Sequence, residues 1–164
     1  MDKGNAEAYY FLGCNYVQGE YGMPQDSNKA NELWLKAGEL GCADGYYNLG
    51  NSYRTGRGVG MDKKKASHYY ELAIMGGCVK ARNSLGCMEF QEGNTERAKK
   101  HWIIAAKAGN KLSLNSVKEG YMSGDVTKDE YASTLRSYQK SQDEAKSDMR
   151  DKAGAYWDRV SVTR

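Results

Sequence analysis

Apolar and aromatic residues recur along this chain with a period that is longer than any single helix or strand requires. A Leu-Gly pair begins at Leu12, Leu49 and Leu85, which are 37 and 36 positions apart, and Val117 keeps the spacing in a fourth copy. A tyrosine follows each of the first two leucines four positions later, and a glycine follows seven positions later. Self-similarity with a period of about 36 residues is typical of helical repeat proteins.

A second block of small and aromatic residues follows each Leu-Gly pair. Offsets of four and seven place alanine, aromatic residue and alanine on one helical stripe. A glycine then stands where a helix C-terminus favours a left-handed residue. Each copy therefore predicts two antiparallel helices joined by a turn. The block reads Ala30, Trp34, Ala37 and Gly41, then Ala66, Tyr70, Ala73 and Gly77, then Ala98, Trp102, Ala105 and Gly109.

These signals predict an all-α fold, an α-solenoid of about four antiparallel helix pairs. The first helices are expected over residues 5–18, 43–55, 79–92 and 111–123, and the second helices over 27–40, 62–76, 95–108 and 128–140. Candidate N-caps are Asp26 or Ser27, Asp62 and Thr95. The segments 127–130 and 141–144 have the spacing of a capping box.

The repeat pattern ends near Ser141 and is replaced by an amphipathic one. Apolar residues then recur every three or four positions, which predicts a C-terminal capping helix that continues or follows the last repeat helix. The repeat array is expected over residues 1–140, in units 5–42, 43–78, 79–110 and 111–140, and the capping helix and tail over 141–164. The recurring residues are Ala145, Met149, Ala153, Trp157 and Val160.

The first two units carry a recognisable motif. Gly-x-x-Tyr-x-x-Gly occurs at residues 13–19 and 50–56, and Asp-x-x-Lys-Ala follows at 26–30 and 62–66. This combination resembles the Sel-one-like repeat (SLR) family, a branch of the tetratricopeptide-like helical repeats. The third unit has a shorter turn and is similar to an ordinary tetratricopeptide repeat, and the fourth departs from the pattern at Tyr131, Leu135 and Tyr138. The resemblance implies adaptor or scaffold work in protein complexes.

Composition and charge narrow the class of partner. The net charge is only +3, and charges of both signs are interspersed, whereas a nucleic-acid surface concentrates Lys and Arg on one face. No apolar run approaches the roughly 20 residues that a membrane-spanning helix needs. We therefore expect no nucleic-acid partner and no membrane insertion. The N-terminus lacks the apolar stretch of a secretory signal, so a cytoplasmic location is expected.

The leading hypothesis is a protein or peptide partner that binds in a concave groove formed by the first helix of each repeat. Counting from the leucine of each unit identifies the outward positions of these helices. Tyrosine is a frequent interface anchor, asparagine can hydrogen-bond a backbone, and basic residues attract an acidic segment. The candidate groove residues are Tyr10, Tyr47, Asn51, Arg54, Lys80, Asn83 and Asn115.

The alternatives are a hydrolase and an RNA-binding repeat protein. Ser137 and Lys140 have the S-x-x-K spacing of some acyl-transfer enzymes, and the resemblance includes bacterial members linked to β-lactam binding or hydrolysis. A hydrolase needs a base beside its nucleophile, yet neither His68 nor His101 falls on a first helix. The groove also contains acidic positions, which disfavours RNA. We expect no enzymatic activity, no cofactor and no metal.

Two further features have simple structural interpretations. The run Gly56-Arg57-Gly58-Val59-Gly60 follows a predicted helix rather than a strand, so it predicts an inter-helix turn and not a phosphate loop. Of the four cysteines, Cys14 and Cys87 occupy one position of the repeat, and Cys42 and Cys78 occupy another. Equivalent positions in adjacent units lie about one repeat apart, which is beyond the reach of a disulfide. All four cysteines are therefore expected to be reduced.

Overall fold

The computed structural model describes the backbone of residues 3–20 and 22–162 and the side chains of 4–20 and 22–153. This part of the chain contains eight α-helices and no strand, which confirms the all-α prediction. Every predicted helix of the repeats is present. The ends lie within about two residues of those expected, except that the last helix, expected to end at residue 140, continues to Val162. The helices are α1 Lys3–Gln18, α2 Ser27–Glu39, α3 Ala43–Thr55, α4 Lys63–Met75, α5 Val79–Gln91, α6 Thr95–Lys107, α7 Lys111–Ser123 and α8 Lys128–Val162.

The chain divides into two compact units. The first contains α1 to α5 and ends at Asn94, and the second contains α6 to α8 and begins at Thr95. In the first unit each helix packs against the next one along the chain up to α5. In the second unit α6 packs against α7 and α8, and α7 also packs against α8.

The predicted stop and start signals act locally. Asp26 accepts a hydrogen bond from the Lys29 backbone N–H at 2.9 Å, and Asp62 accepts one from that of Lys65 at 3.0 Å. Each carboxylate satisfies one of the N–H groups that a helix start leaves without a partner. Thr95, by contrast, is the first residue of α6 and not the residue before it. At the other end of the second helices, Gly41, Gly77 and Gly109 have φ values of 98°, 88° and 91°, in the left-handed region.

The structure also explains the glycine of the Leu-Gly pair. A Cβ atom on Gly13 would lie 2.7 Å from the Trp34 ring, and one on Gly50 would lie 2.7 Å from the Tyr70 ring. The glycine therefore lets the aromatic side chain of the second helix lie directly on the first helix of the same repeat.

Aromatic residues of the second helices form much of the core, as predicted, although not equally. Trp34 is 5% exposed and Tyr70 is fully buried. The stripe of the second helices predicts that Trp34, Tyr70 and Trp102 are buried between helices. In the second unit Trp102 is only half-buried, so that prediction is wrong for Trp102. The hydrophobic core of the second unit contains Ala106, Val117 and Val126, all buried, and Trp102 packs against these residues.

The C-terminal helix is continuous with the last repeat helix. The capping box at its start is present, because Glu130 accepts from the Thr127 N–H at 2.8 Å and Thr127 Oγ1 accepts from the Glu130 N–H at 3.2 Å. The second proposed capping box, at residues 141–144, is wrong because those residues lie inside α8. Met149 is 64% exposed, and the side chains of Trp157 and Val160 lie outside the described residues. The division into an array over 1–140 and a cap over 141–164 stays a prediction.

Candidate binding face

Six of the seven predicted groove residues lie in the first unit, on α1, α3 and α5. We call them the first-helix face: Tyr10, Tyr47, Asn51, Arg54, Lys80 and Asn83. The seventh, Asn115, is exposed on α7 in the second unit. Arg54 and Lys80 are exposed, and the other four residues of the face are half-buried. Partial burial of this kind leaves a side chain accessible while its neighbours fix its orientation.

Tyr70, a buried residue of α4, contacts three residues of the first-helix face, all of them on α3. The Tyr47 ring lies 6.1 Å from the Tyr70 ring, centroid to centroid, at an angle of 36°. The Tyr70 hydroxyl donates to Asn51 Oδ1 at 2.8 Å and accepts from Arg54 Nε at 3.2 Å. Burial raises the pKa of Tyr70, so its hydroxyl stays protonated and can keep donating. The Tyr70 side chain thus links an amide and a guanidinium one helical turn apart.

On α1, the backbone of Tyr10 contacts α2, and Cys14, one turn further along the helix, contacts α3. The Trp34 Nε1–H donates to the Tyr10 carbonyl oxygen at 3.3 Å, and the Asn48 amide lies 3.9 Å from Cys14 Sγ. Burial, together with Cys14, raises the pKa of Tyr10 to about 12. The Tyr10 side chain is therefore a neutral phenol at physiological pH, suited to apolar contact and to hydrogen bonding.

Where α3 faces α5, a cysteine and an aspartate meet. The Cys78 thiol donates to Asp44 Oδ1 at 3.6 Å, just before α5 begins. The pKa of Cys78 is raised, mainly by burial, so the thiolate form is disfavoured. The contact joins consecutive repeats and does not create a reactive nucleophile.

A cavity of about 320 Å³ opens on the first-helix face at the C-terminal part of α3. Two asparagines and two arginines are among the residues that line it: Asn48, Asn51, Arg54 and Arg57. The remaining lining residues are Trp34, Ser52 and Thr55. No acidic residue is among those that line it.

Two residues that line this cavity, Asn48 and Arg57, were not predicted from the sequence as binding residues. Asn48 directly precedes the leucine of the second Leu-Gly pair. The hydroxyl of Tyr70, which bonds to Asn51 and Arg54 without lining the cavity, was not predicted either. Arg57 lies in the glycine-rich run, which is an inter-helix turn as predicted: Gly56 ends α3 with φ 75°, and Gly58 has φ 67°. The Arg57 carbonyl accepts from the Asn31 amide at 2.9 Å, which ties the turn to α2.

The candidate catalytic residues are not arranged as a nucleophile with its base. The Lys140 ammonium is exposed and pairs with Glu144 at 3.7 Å, beside Ser137 on α8. The His68 ring packs edge-on against Tyr69, 5.4 Å from it. Within the described residues, no three His, Cys, Asp or Glu side chains are grouped so that they could hold a metal ion. None of the helices described is long and apolar enough to cross a membrane.

Comparisons with known proteins agree with this architecture. Residues 6–42, 43–78 and 79–110 match the family model described as Sel1 repeat. The crystal structure of c5321, a protective antigen of uropathogenic Escherichia coli strains that displays an SLR fold, aligns with a TM-score of 0.69 and 31% identity over 87% of this chain. The structure of a Sel1 repeat protein from Oxalobacter formigenes aligns with a TM-score of 0.72 and 23% identity over 85% of this chain. This chain spans 31% and 59% of the lengths of those two chains, and no curated protein matches it.

Proposed function

Because this chain belongs to the Sel1 repeat family, whose members are generally protein-interaction scaffolds, we propose that it is a non-catalytic adaptor that binds a peptide or helix on its first-helix face. Asn115 is proposed as a further contact, on α7. The partner is a protein or peptide, and no cofactor takes part.

One observation carries this proposal: the buried Tyr70 side chain holds Tyr47, Asn51 and Arg54 in fixed positions on an accessible surface. Fixed side chains lose little conformational entropy when a ligand binds, so more of the contact energy appears as affinity. Tyrosine and arginine are also among the residues most enriched at the energetic centres of interfaces. The hydrolase alternative has no comparable support, because Lys140, the basic residue of its Ser-x-x-Lys spacing, is exposed and pairs with Glu144.

The test begins with affinity capture by the intact chain and identification of the bound protein by mass spectrometry. Affinities of the purified partner are then measured by calorimetry for the wild type and for Tyr47→Ala and Asn83→Ala. If these residues are anchors, each substitution is expected to weaken binding by about 1–2 kcal/mol.

Tyr46→Ala is the matched control. Tyr46 is the neighbour of Tyr47 on α3, is also half-buried, and stacks on Tyr69 rather than on Tyr70. We expect Tyr46→Ala to leave the affinity for the partner unchanged. Circular dichroism first shows that each variant is folded, and only folded variants are compared. Normal binding by Tyr47→Ala and Asn83→Ala, with loss of binding in Tyr46→Ala, would reject the first-helix face.

A further inference from the structure

We infer that the cavity lined by Asn48, Asn51, Arg54 and Arg57 is a carboxylate-binding site, and that it selects partner segments with an acidic side chain or a free C-terminus. This inference rests on the proposed function and names the chemistry of the ligand. The four residues lie on the same unit, three of them on α3 and Arg57 in the turn that follows.

The hydrogen bonds around Tyr70 prepare two of the four groups. Arg54 Nε is held by the Tyr70 oxygen, which leaves the terminal N–H groups of the guanidinium for a ligand. Asn51 Oδ1 accepts one hydrogen bond from the Tyr70 hydroxyl, which orients the amide, and the Asn51 N–H groups can donate to a ligand. Guanidinium groups donate hydrogen bonds and cannot accept them, so a ligand that binds to Arg54 and Arg57 must supply acceptors.

The positive charges of Arg54 and Arg57 also favour an anionic ligand. In the described part of the chain, the ion pairs formed by lysine with Asp or Glu lie elsewhere, and neither Arg54 nor Arg57 is paired with a carboxylate. Two arginines that form no ion pair within the described residues, next to two asparagine amides, can together bind an oxyanion. Guanidinium groups bind carboxylates in a two-pronged geometry with charge-assisted hydrogen bonds.

A purely structural role for the arginines makes a different prediction. Both residues lie near the C-terminus of α3, where a positive charge stabilises the helix dipole. That role needs the charge but not the amide donors or the cavity. It predicts a loss of stability when an arginine is removed and no ligand binding by the wild type.

The volume favours a peptide carboxylate over a bare ion. A space of about 320 Å³ is close to the lower end of the range for small-ligand pockets and holds a side chain together with part of its backbone. Because the family binds proteins, we assign the carboxylate to a peptide and treat inorganic phosphate as a competing outcome of the test.

The experiment is an NMR titration of the labelled full chain, read from the side-chain amides of Asn48 and Asn51 and from Arg54 Nε–H. Three tripeptides serve as probes. Doubly capped Gly-Glu-Gly carries a side-chain carboxylate, N-acetylated Gly-Gln-Gly carries a C-terminal one, and doubly capped Gly-Gln-Gly carries none. Inorganic phosphate is titrated separately. Comparing the first two probes shows which source of carboxylate the site prefers.

We expect saturable shifts with at least one carboxylate probe and none with the neutral tripeptide. Arg54→Gln and Arg57→Gln should each weaken the binding by about tenfold, the effect of losing a hydrogen bond to a charged group. Arg82→Gln removes the same charge from α5 in the same unit and should leave binding within about twofold, because Arg82 does not line the cavity.

Several results would overturn the carboxylate assignment. They are the absence of saturable shifts, equal binding of the neutral tripeptide, unchanged binding in both cavity variants, or stronger binding of phosphate than of either carboxylate probe. None of these results would reject the adaptor function itself, because the dependence of partner binding on Tyr47 is measured independently.

Discussion

Replacing Gly50 by alanine tests whether the repeat packs through direct contact between a glycine and an aromatic ring. The added Cβ would lie 2.7 Å and 2.8 Å from two carbon atoms of the Tyr70 ring and 3.3 Å from the Ala66 carbonyl oxygen. Ordinary contact begins at 3.4 Å, so the ring would have to move by about 0.7 Å. Tyr70 has little room to do so, because it is fully buried and its hydroxyl is bonded to Asn51 and Arg54.

The expected cost follows from two opposing effects. Overpacking a core costs about 1–3 kcal/mol, whereas alanine is favoured over glycine inside a helix by up to about 1 kcal/mol. We therefore expect Gly50→Ala to lower the free energy of unfolding by about 1–2 kcal/mol. Displacement of Tyr70 should also disturb Asn51 and Arg54, so partner binding should weaken in the same variant.

Equilibrium urea unfolding, followed by circular dichroism, measures this change as a shift of the midpoint with little change of slope. The control is Gly60→Ala, because a Cβ at Gly60 meets no atom within 4 Å and its φ is not in the left-handed region. That substitution should change stability by less than about 0.5 kcal/mol. Wild-type or greater stability of Gly50→Ala would refute the packing explanation of the Leu-Gly pair.

Three other predictions concern hydrogen bonding and thiol chemistry. Tyr70→Phe keeps the buried ring but removes the hydroxyl from Asn51, so urea unfolding should show a loss of about 1–2 kcal/mol; an unchanged midpoint would contradict the bond's role. Thr127→Ala should cost about 1 kcal/mol at neutral pH. The pKa of Glu130 lies below its ordinary value of 4.5, first because it accepts from the Thr127 N–H and second because it accepts from the Thr127 hydroxyl at 2.9 Å, which alanine removes. The stabilisation by the hydroxyl is present above pH 4.5 and lost as the pH falls through the lowered pKa, so the difference from wild type should narrow in acid. Alkylation of the denatured, unreduced chain should add four adducts by mass, one for each free cysteine; two fewer would indicate a disulfide.

The helix boundaries could be predicted because their signals are local. The ends of α3 and α7 were expected at 43–55 and 111–123, where the structure has them. A glycine that must adopt a positive φ, or an aspartate that caps the next turn, acts within a few residues of its position.

Local spacing can also give a wrong prediction. Residues 141–144 have the spacing of a capping box, but they lie inside the helix that begins at Lys128, and no helix starts there.

The candidate site could be predicted only in outline, since its details depend on contacts between helices. Periodicity identified Tyr47, Asn51 and Arg54 as one side of α3. It could not show that the hydroxyl of Tyr70, 16 residues from Arg54, connects two of them. Arg57 was assigned to a turn, and that assignment is correct, but the direction in which the turn presents its side chain is set by tertiary packing.

Photo-crosslinking tests the location of partner binding most directly. A photoreactive phenylalanine analogue replaces Tyr47 in one sample and Tyr46 in a matched sample, and each is irradiated with the captured partner. Tyr47 packs toward Tyr70 on the first-helix face, whereas Tyr46 stacks on Tyr69. A binding site on the first-helix face predicts crosslinks to the partner from position 47 and none from position 46. Crosslinks from position 46 alone would place the partner on another surface and contradict the proposed function.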